Sequence, residues 1–123
     1  GKGGGLYCDG KGDFNTYVVS ISYNTGKIGG GVYNDGMITL AEGSIHHNNA
    51  DYGGGLYNWG TANLNGGHIT QNIAKHYGGG IYNDMGGEST VNLNGCVVDK
   101  NEANILYSDI YNNGGFVSRK EDP

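Results

Sequence analysis

The chain has 123 residues, a formal net charge of −5, 36% hydrophobic residues and 26 glycines. Its seven Lys and Arg are dispersed apart from Arg119-Lys120, so no basic stripe is present to neutralise phosphates, and no nucleic-acid partner is expected. No apolar run approaches the roughly 20 residues that a spanning helix needs, so a membrane-embedded helix is not expected either.

Glycine normally makes up about 7% of a globular chain, so its excess here needs a cause. There is no collagen triplet, and ten tyrosines argue against a disordered chain. The glycines recur in a longer unit. It opens with Gly3-Gly4-Gly5-Leu6-Tyr7-Cys8 and returns as Gly29-Gly30-Gly31-Val32-Tyr33-Asn34. Gly53-Gly54-Gly55-Leu56-Tyr57-Asn58 and Gly78-Gly79-Gly80-Ile81-Tyr82-Asn83 follow. Tyr107-Ser108-Asp109-Ile110-Tyr111-Asn112 is a fifth copy without glycines. The chain begins inside a repeat and reads as an excerpt of a longer one.

Each unit carries a second landmark: Ile21-Ser22-Tyr23-Asn24, Ile45-His46-His47-Asn48, Ile69-Thr70-Gln71-Asn72 and Val98-Asp99-Lys100-Asn101. A small residue follows two positions later, at Gly26, Ala50, Ala74 and Ala103. An apolar residue precedes each triplet position, at Ile28, Tyr52, Tyr77 and Leu106. Between the landmarks lie the alternating pieces Ile38-Thr39-Leu40, Ala62-Asn63-Leu64 and Val91-Asn92-Leu93. Short period-2 segments separated by glycine and asparagine turns predict strands. A repeat of about 24–29 residues made of such segments predicts an all-β parallel solenoid of about five coils. The repeat domain is read as residues 1–113, with 114–123 as a C-terminal edge or tail.

Stacking turns these columns into ladders. Leu6, Val32, Leu56, Ile81 and Ile110 are expected to point inward, as are Ile21, Ile45, Ile69 and Val98. The next residue along the strand points outward, so Tyr7, Tyr33, Tyr57, Tyr82 and Tyr111 should form an external stripe. Asn34, Asn58, Asn83 and Asn112 then turn inward and hydrogen-bond along one row, which Cys8 interrupts at its end. Asn24, Asn48, Asn72 and Asn101 form a second row. The glycines supply positive φ and close backbone approach. Cys8 and Cys96 fall in different slots, Cys96 in the column of Gly43 and Gly67, and are expected as free thiols. Extra residues, Asp9-Gly10-Lys11-Gly12-Asp13 and Met85-Gly86-Gly87-Glu88-Ser89-Thr90, should leave one edge of the stack.

The pairing of Gly54-Gly55-Leu56 and its copies with Ile45-x-x-Asn48 and its copies resembles the repeat of chlamydial polymorphic outer-membrane proteins. Adhesin-like bacterial and archaeal surface proteins share it. Ile or Val stands here where the chlamydial motif prefers Phe. The resemblance runs from Gly3 to about Asn113. It implies a right-handed parallel β-helix displayed at the cell surface or secreted.

Two constellations could carry function. Asp9, Asp35 and Asp84 share one slot, with Trp59 and Asn113 in the other copies. Asp9 and Asp35 on adjacent coils would lie about 4.8 Å apart, and paired carboxylates serve glycosidases. The sole arginine is Arg119, in the tail, so a lyase-like site lacks its basic residue. Asp9, Asp13 and Asn15 make a poor calcium loop, with Lys11 in the middle. His46, His47, His68 and His76 lack zinc spacing. No metal or cofactor is therefore expected. The second constellation is the aromatic face, with Tyr33, Tyr57, Trp59 and Tyr82 as contacts beside Asp35 and Asp84. It suggests a non-enzymatic, adhesin-like extracellular or cell-surface module that recognises a host protein or glycan, immunoglobulin-like proteins among the candidate targets. The alternatives are a fragment of a polysaccharide hydrolase or lyase using Asp9 and Asp35, and a structural spacer. Open coil ends carry unpaired strand edges, which suggests end-to-end self-association.

Overall fold

A computed structural model describes residues 1–84 and 89–120. Among these residues the chain is all β, and every strand pairing is parallel. The first coil contributes β1 (Leu6–Cys8) and β2 (Asp13–Ser22), and the second β3 (Val32–Asn34), β4 (Met37–His46) and β5 (Asn49–Tyr52). The third contributes β6 (Leu56–Asn58), β7 (Thr61–Leu64), β8 (His68–Thr70) and β9 (Ile73–Tyr77). The fourth contributes β10 (Ile81–Asn83), β11 (Thr90–Leu93), β12 (Val97–Asp99) and β13 (Glu102–Ala103). β14 (Ile110–Asn112) and β15 (Phe116–Arg119) open a fifth.

These strands stack as a parallel β-solenoid of about four turns. A five-stranded sheet runs β1-β3-β6-β10-β14. Its five rungs bound four full turns, which reconciles the turn count with the five repeats in the sequence. A seven-stranded sheet takes in β2, β4, β7, β8, β11, β12 and β15, because the ten-residue β4 pairs with both β7 and β8. A three-stranded sheet, β5-β9-β13, completes the section.

The register aligns like with like. Leu6, Val32, Leu56, Ile81 and Ile110 are consecutive partners, as are the five tyrosines beside them. Ile21, Ile45, Ile69 and Val98 form the second predicted row. Val32, Leu56 and Ile81 are fully buried, with Ile38, Ile45, Leu64, Ile69, Val91 and Leu93 around them. Fully burying each such side chain contributes about 1.5–3 kcal/mol. The end residues Leu6 and Ile110 are only partly covered, since each lacks a rung on one side.

Both asparagine rows form. In the first, Asn34 Nδ2 donates to Asn58 Oδ1 at 2.8 Å, Asn58 to Asn83 at 2.9 Å, and Asn83 to Asn112 at 3.0 Å. In the second, Asn24, Asn48 and Asn72 each donate to the next member, at 3.2, 3.0 and 3.0 Å. The residue before each corner asparagine is left-handed and not glycine: Tyr23 (φ 57°), His47 (φ 56°), Gln71 (φ 56°) and Lys100 (φ 56°). Such a conformation costs roughly 1–3 kcal/mol and persists only where its surroundings enforce it. The surroundings here are the asparagine row: backbone N–H groups of Asn24, Asn48 and Asn72 also reach the Oδ1 of the next member.

The triplet glycines answer to the same constraint. Gly53 has φ +66°, and a Cβ on Gly55 would lie 2.7 Å from Gly80 O and 2.9 Å from Asn72 Nδ2. Close approach to the asparagine row therefore excludes a side chain at the third glycine. Cys8 and Cys96 are buried free thiols, and Cys96 follows the column of Gly43 and Gly67, as its neighbour Val97 pairs with His68. The first insertion sits at the corner between β1 and β2, where Asn34 to Met37 makes the same connection two residues shorter. The second connects Asn83 to Thr90 at the same corner, and its residues 85–88 lie outside the described ones. The segment read as an edge or tail includes β15, laid in register on β11.

The two classes of asparagine should respond differently to truncation. Asn58 is fully buried, donates to Gly60 O, Asn83 Oδ1 and Thr90 O, and accepts from Asn34. Asn58→Ala is expected to cost about 2–4 kcal/mol in urea unfolding, because it orphans buried partners. Asn65→Ala, which removes an exposed contact with Asn94, should stay within about 0.5 kcal/mol.

Candidate functional site

The tyrosine column leaves the aliphatic core, as the period-2 pattern requires, but it is not a bare face. Tyr7 and Tyr33 stack at 5.2 Å, Tyr33 and Tyr57 at 5.5 Å, and Tyr57 and Tyr82 at 4.8 Å, with planes within 12° of parallel. Rings at rung spacing cover each other's faces. A second aromatic column lies beside them: Tyr52 meets Tyr82 edge-on at 5.6 Å, and Tyr77 stacks on Tyr111 at 5.0 Å. Lys2 Nζ lies 5.1 Å from the centre of the Tyr33 ring, within cation–π range. Tyr33 and Tyr57 consequently retain only 7% and 9% exposure. Outward direction alone did not measure this, because the covering atoms belong to neighbouring coils.

Burial also acts on the phenols. It raises the Tyr33 pKa, and it raises that of Tyr57 strongly, helped by the hydrogen bond from Tyr57 Oη to the Asp84 carboxylate. Tyr82 is pushed up to about 12, first by burial and then by the Asp84 charge. Desolvation by burial likewise raises the Cys96 thiol to about 11.

The shared slot is confirmed by backbone hydrogen bonds. Asp35 N–H donates to Cys8 O, Trp59 N–H to Asn34 O, Asp84 N–H to Asn58 O and Asn113 N–H to Asn83 O. Asp9, Asp35, Trp59, Asp84 and Asn113 thus succeed one another along one corner. Trp59 is 42% exposed and enters no aromatic pair among the described residues. Asp35 and Asp84 flank it on the adjoining rungs, both half-buried. Asp9 is exposed, and its carboxylate accepts the Lys11 backbone N–H at 3.0 Å. The candidate contacts Tyr33, Tyr57, Trp59, Tyr82, Asp35 and Asp84 therefore share one side of the solenoid, with Trp59 the most exposed of them.

Elsewhere, Asn15 lies on β2 and not in the loop with Asp9. His46 and His47 bring their Nδ1 atoms to 2.7 Å, and the His47 ring stacks on Tyr23 at 5.0 Å. Among the described residues no three His, Cys, Asp or Glu side chains are grouped to hold a metal ion.

One feature escaped the sequence reading. At the second asparagine corner a groove of about 310 Å³ is lined by His47, Gln71, Ile73, Lys100 and Glu102 beside Asn72. Another, of about 190 Å³, lies alongside it toward Tyr23 and Asn49. The left-handed residues His47 and Gln71 line both, joined by Lys100 in the first and Tyr23 in the second. Nothing in their identities marks them as turn-formers, since none is glycine. No protein-family model, curated protein or solved structure matches the chain significantly.

The phenol shifts make stability alkaline-sensitive. Unfolded tyrosines ionise near about 10. Between roughly pH 10 and 12 the unfolded chain releases protons that folded Tyr57 and Tyr82 retain, so stability falls as pH rises through this window. Tyr57→Phe keeps the stacked ring without the ionisable group. Its alkaline unfolding midpoint, followed by circular dichroism against phenolate absorbance, is expected to lie above that of the wild type.

Proposed function

We propose that this chain is a non-enzymatic binding module of an extracellular or cell-surface protein, adhesin-like, which recognises a host protein or glycan through its aromatic face. The observation that carries the reading is Trp59, a large exposed indole held in a column whose other members are Asp or Asn. It lies at the corner that follows β6, next in the chain to a stack of tyrosines on a hydrogen-bonded parallel sheet. An anchor held on such a scaffold loses little freedom on binding, and Trp and Tyr supply much of the energy at known interfaces. Asp35 and Asp84 on either side add acceptors for hydroxyl or amide groups, and Tyr57 holds the Asp84 carboxylate in place. Surface display rests on the resemblance of the repeat.

The spacer reading draws on a different observation. The near-complete covering of Tyr33 and Tyr57 gives that column a stabilising role whatever Trp59 does. Both roles are compatible within one solenoid.

A glycan array and a host-serum pull-down with the isolated chain test the proposal. Trp59→Ala is expected to weaken the selected ligand by about 30-fold, the effect of losing a roughly 2 kcal/mol anchor, with an unchanged far-UV spectrum. Unaltered affinity would reject this face. The enzymatic alternative requires the parent chain to depolymerise an acidic polysaccharide and the Asp9→Asn, Asp35→Asn double variant to lose that turnover. A parent without turnover removes it.

A further inference from the structure

We propose that His46 and His47 form a chelating site for a divalent transition metal, with Cu(II) the ion that their geometry suits best. Their Nδ1 atoms lie 2.7 Å apart. Two bare lone pairs that close repel, so a proton or a cation must stand between them. At an ordinary metal–imidazole length of about 2.0–2.1 Å, this 2.7 Å separation subtends roughly 80–85° at the metal. That angle is near the right angle of a square-planar or tetragonal centre, the geometry of Cu(II) and Ni(II). It falls short of the angle of about 109° at tetrahedral zinc. Cu(II) also stands highest in affinity among the divalent first-row metals.

The backbone brings the two rings together. Successive side chains on a strand point to opposite faces, so adjacent histidines read as separated in the sequence. His46 ends β4, and His47 is left-handed, with φ 56°. This reversal turns the second ring toward the first, and their centres lie 4.9 Å apart, edge to face. The neighbouring rungs then hold both residues in place. His47 N–H donates to Gln71 O at 3.0 Å, and Asn48 Nδ2 donates to His46 O at 3.0 Å. The Tyr23 ring, one rung earlier, stacks on His47 at 5.0 Å with planes 11° apart. A pair positioned before the metal arrives loses little freedom on binding it.

The site belongs to this rung alone. The same two positions hold Ser22-Tyr23, Thr70-Gln71 and Asp99-Lys100 at the other corners. The pair lies inside the stack, with Ser22 and Thr70 in register on either side of His46. Both histidines are half-buried, which leaves the chelate open to water. Chelation takes both rings as Nε2–H tautomers, so that each Nδ1 offers a lone pair. Waters complete the coordination sphere, and the flanking Ser22 and Thr70 hydroxyls suit hydrogen bonds to them.

Titration of the whole chain with a copper(II) salt tests the proposal. One tightly held equivalent is expected, with a tetragonal electron paramagnetic resonance spectrum and spin-echo modulation from two imidazoles. His46→Thr and His47→Gln each introduce the residue that the next rung carries, at Thr70 and Gln71, so the fold already accommodates them. Each should weaken Cu(II) binding by at least about tenfold, since even the outer partners of a metal ligand are worth that much. Each should also reduce the modulation to a single imidazole, with an unchanged far-UV spectrum. A wild-type spectrum with one imidazole or none, affinity unaltered in either variant, or loss of the signal in His68→Gln instead would each overturn the proposal, leaving the pair as a hydrogen bond. The wild-type imidazole count decides the matter even if a variant fails to fold.

Discussion

The hydrogen bond from one asparagine carboxamide to the next sets the terms for the rest of the solenoid. A carboxamide buried without partners is costly, so each corner asparagine must find its copy one rung away. That requirement fixes the register of all three sheets, because a slip of one residue would separate every row at once. It also explains the third glycine of each triplet, whose Cβ would enter the space of the neighbouring Nδ2. The left-handed turns at Tyr23, His47, Gln71 and Lys100 follow from the same demand, since they precede the N–H groups directed into the row. The aliphatic core supplies the bulk of the burial, but it would tolerate several registers that the asparagines do not.

The aromatic side obeys a gentler rule. Tyrosines outside the core stack because parallel in-register strands bring identical rings to about 4.8 Å, close to an offset-stacking distance. Stacking converts an outward-facing column into a partly sealed one. What remains accessible is whatever breaks the repetition, and Trp59 does so on the same side of the molecule. Recognition on a repetitive scaffold is thus expected at its irregular positions and not along its uniform ones.

Much of the architecture could be read from residue spacing. The inward aliphatic rows, both asparagine rows, the shared slot of Asp9, Asp35, Trp59, Asp84 and Asn113, and the free cysteines all follow from recurrence at a fixed interval. Recurrence places residues in columns; it does not report what covers a column. Tyr52 and Tyr77 were visible only as apolar residues before the glycines, and their packing on Tyr82 and Tyr111 depends on how two sheets meet. The left-handed residues went unseen because Tyr, His, Gln and Lys carry no turn signal. Asp109 looked like decay of a glycine triplet, but its carboxylate accepts both donors of Asn101. β15 was hidden because the fifth copy lacks its glycine triplet, although Gly115 precedes Phe116 as Gly60 precedes Thr61, and Val117 takes the place of Val91 and Ala62 on earlier rungs.

The uniform direction of the carboxamide rows has an electrostatic consequence. In both, each carboxamide donates to the oxygen of the next member on the later coil and turns its own C=O to the earlier one, while the second row also donates back to Ile21 O, Ile45 O and Ile69 O. Aligned amide dipoles add along an axis, much as peptide dipoles do in an α-helix. The stack is therefore polarised along its axis, positive toward the later coils. The anionic Asp109 carboxylate accepts from Asn101 on that side, where the summed field of the preceding rungs favours its negative charge.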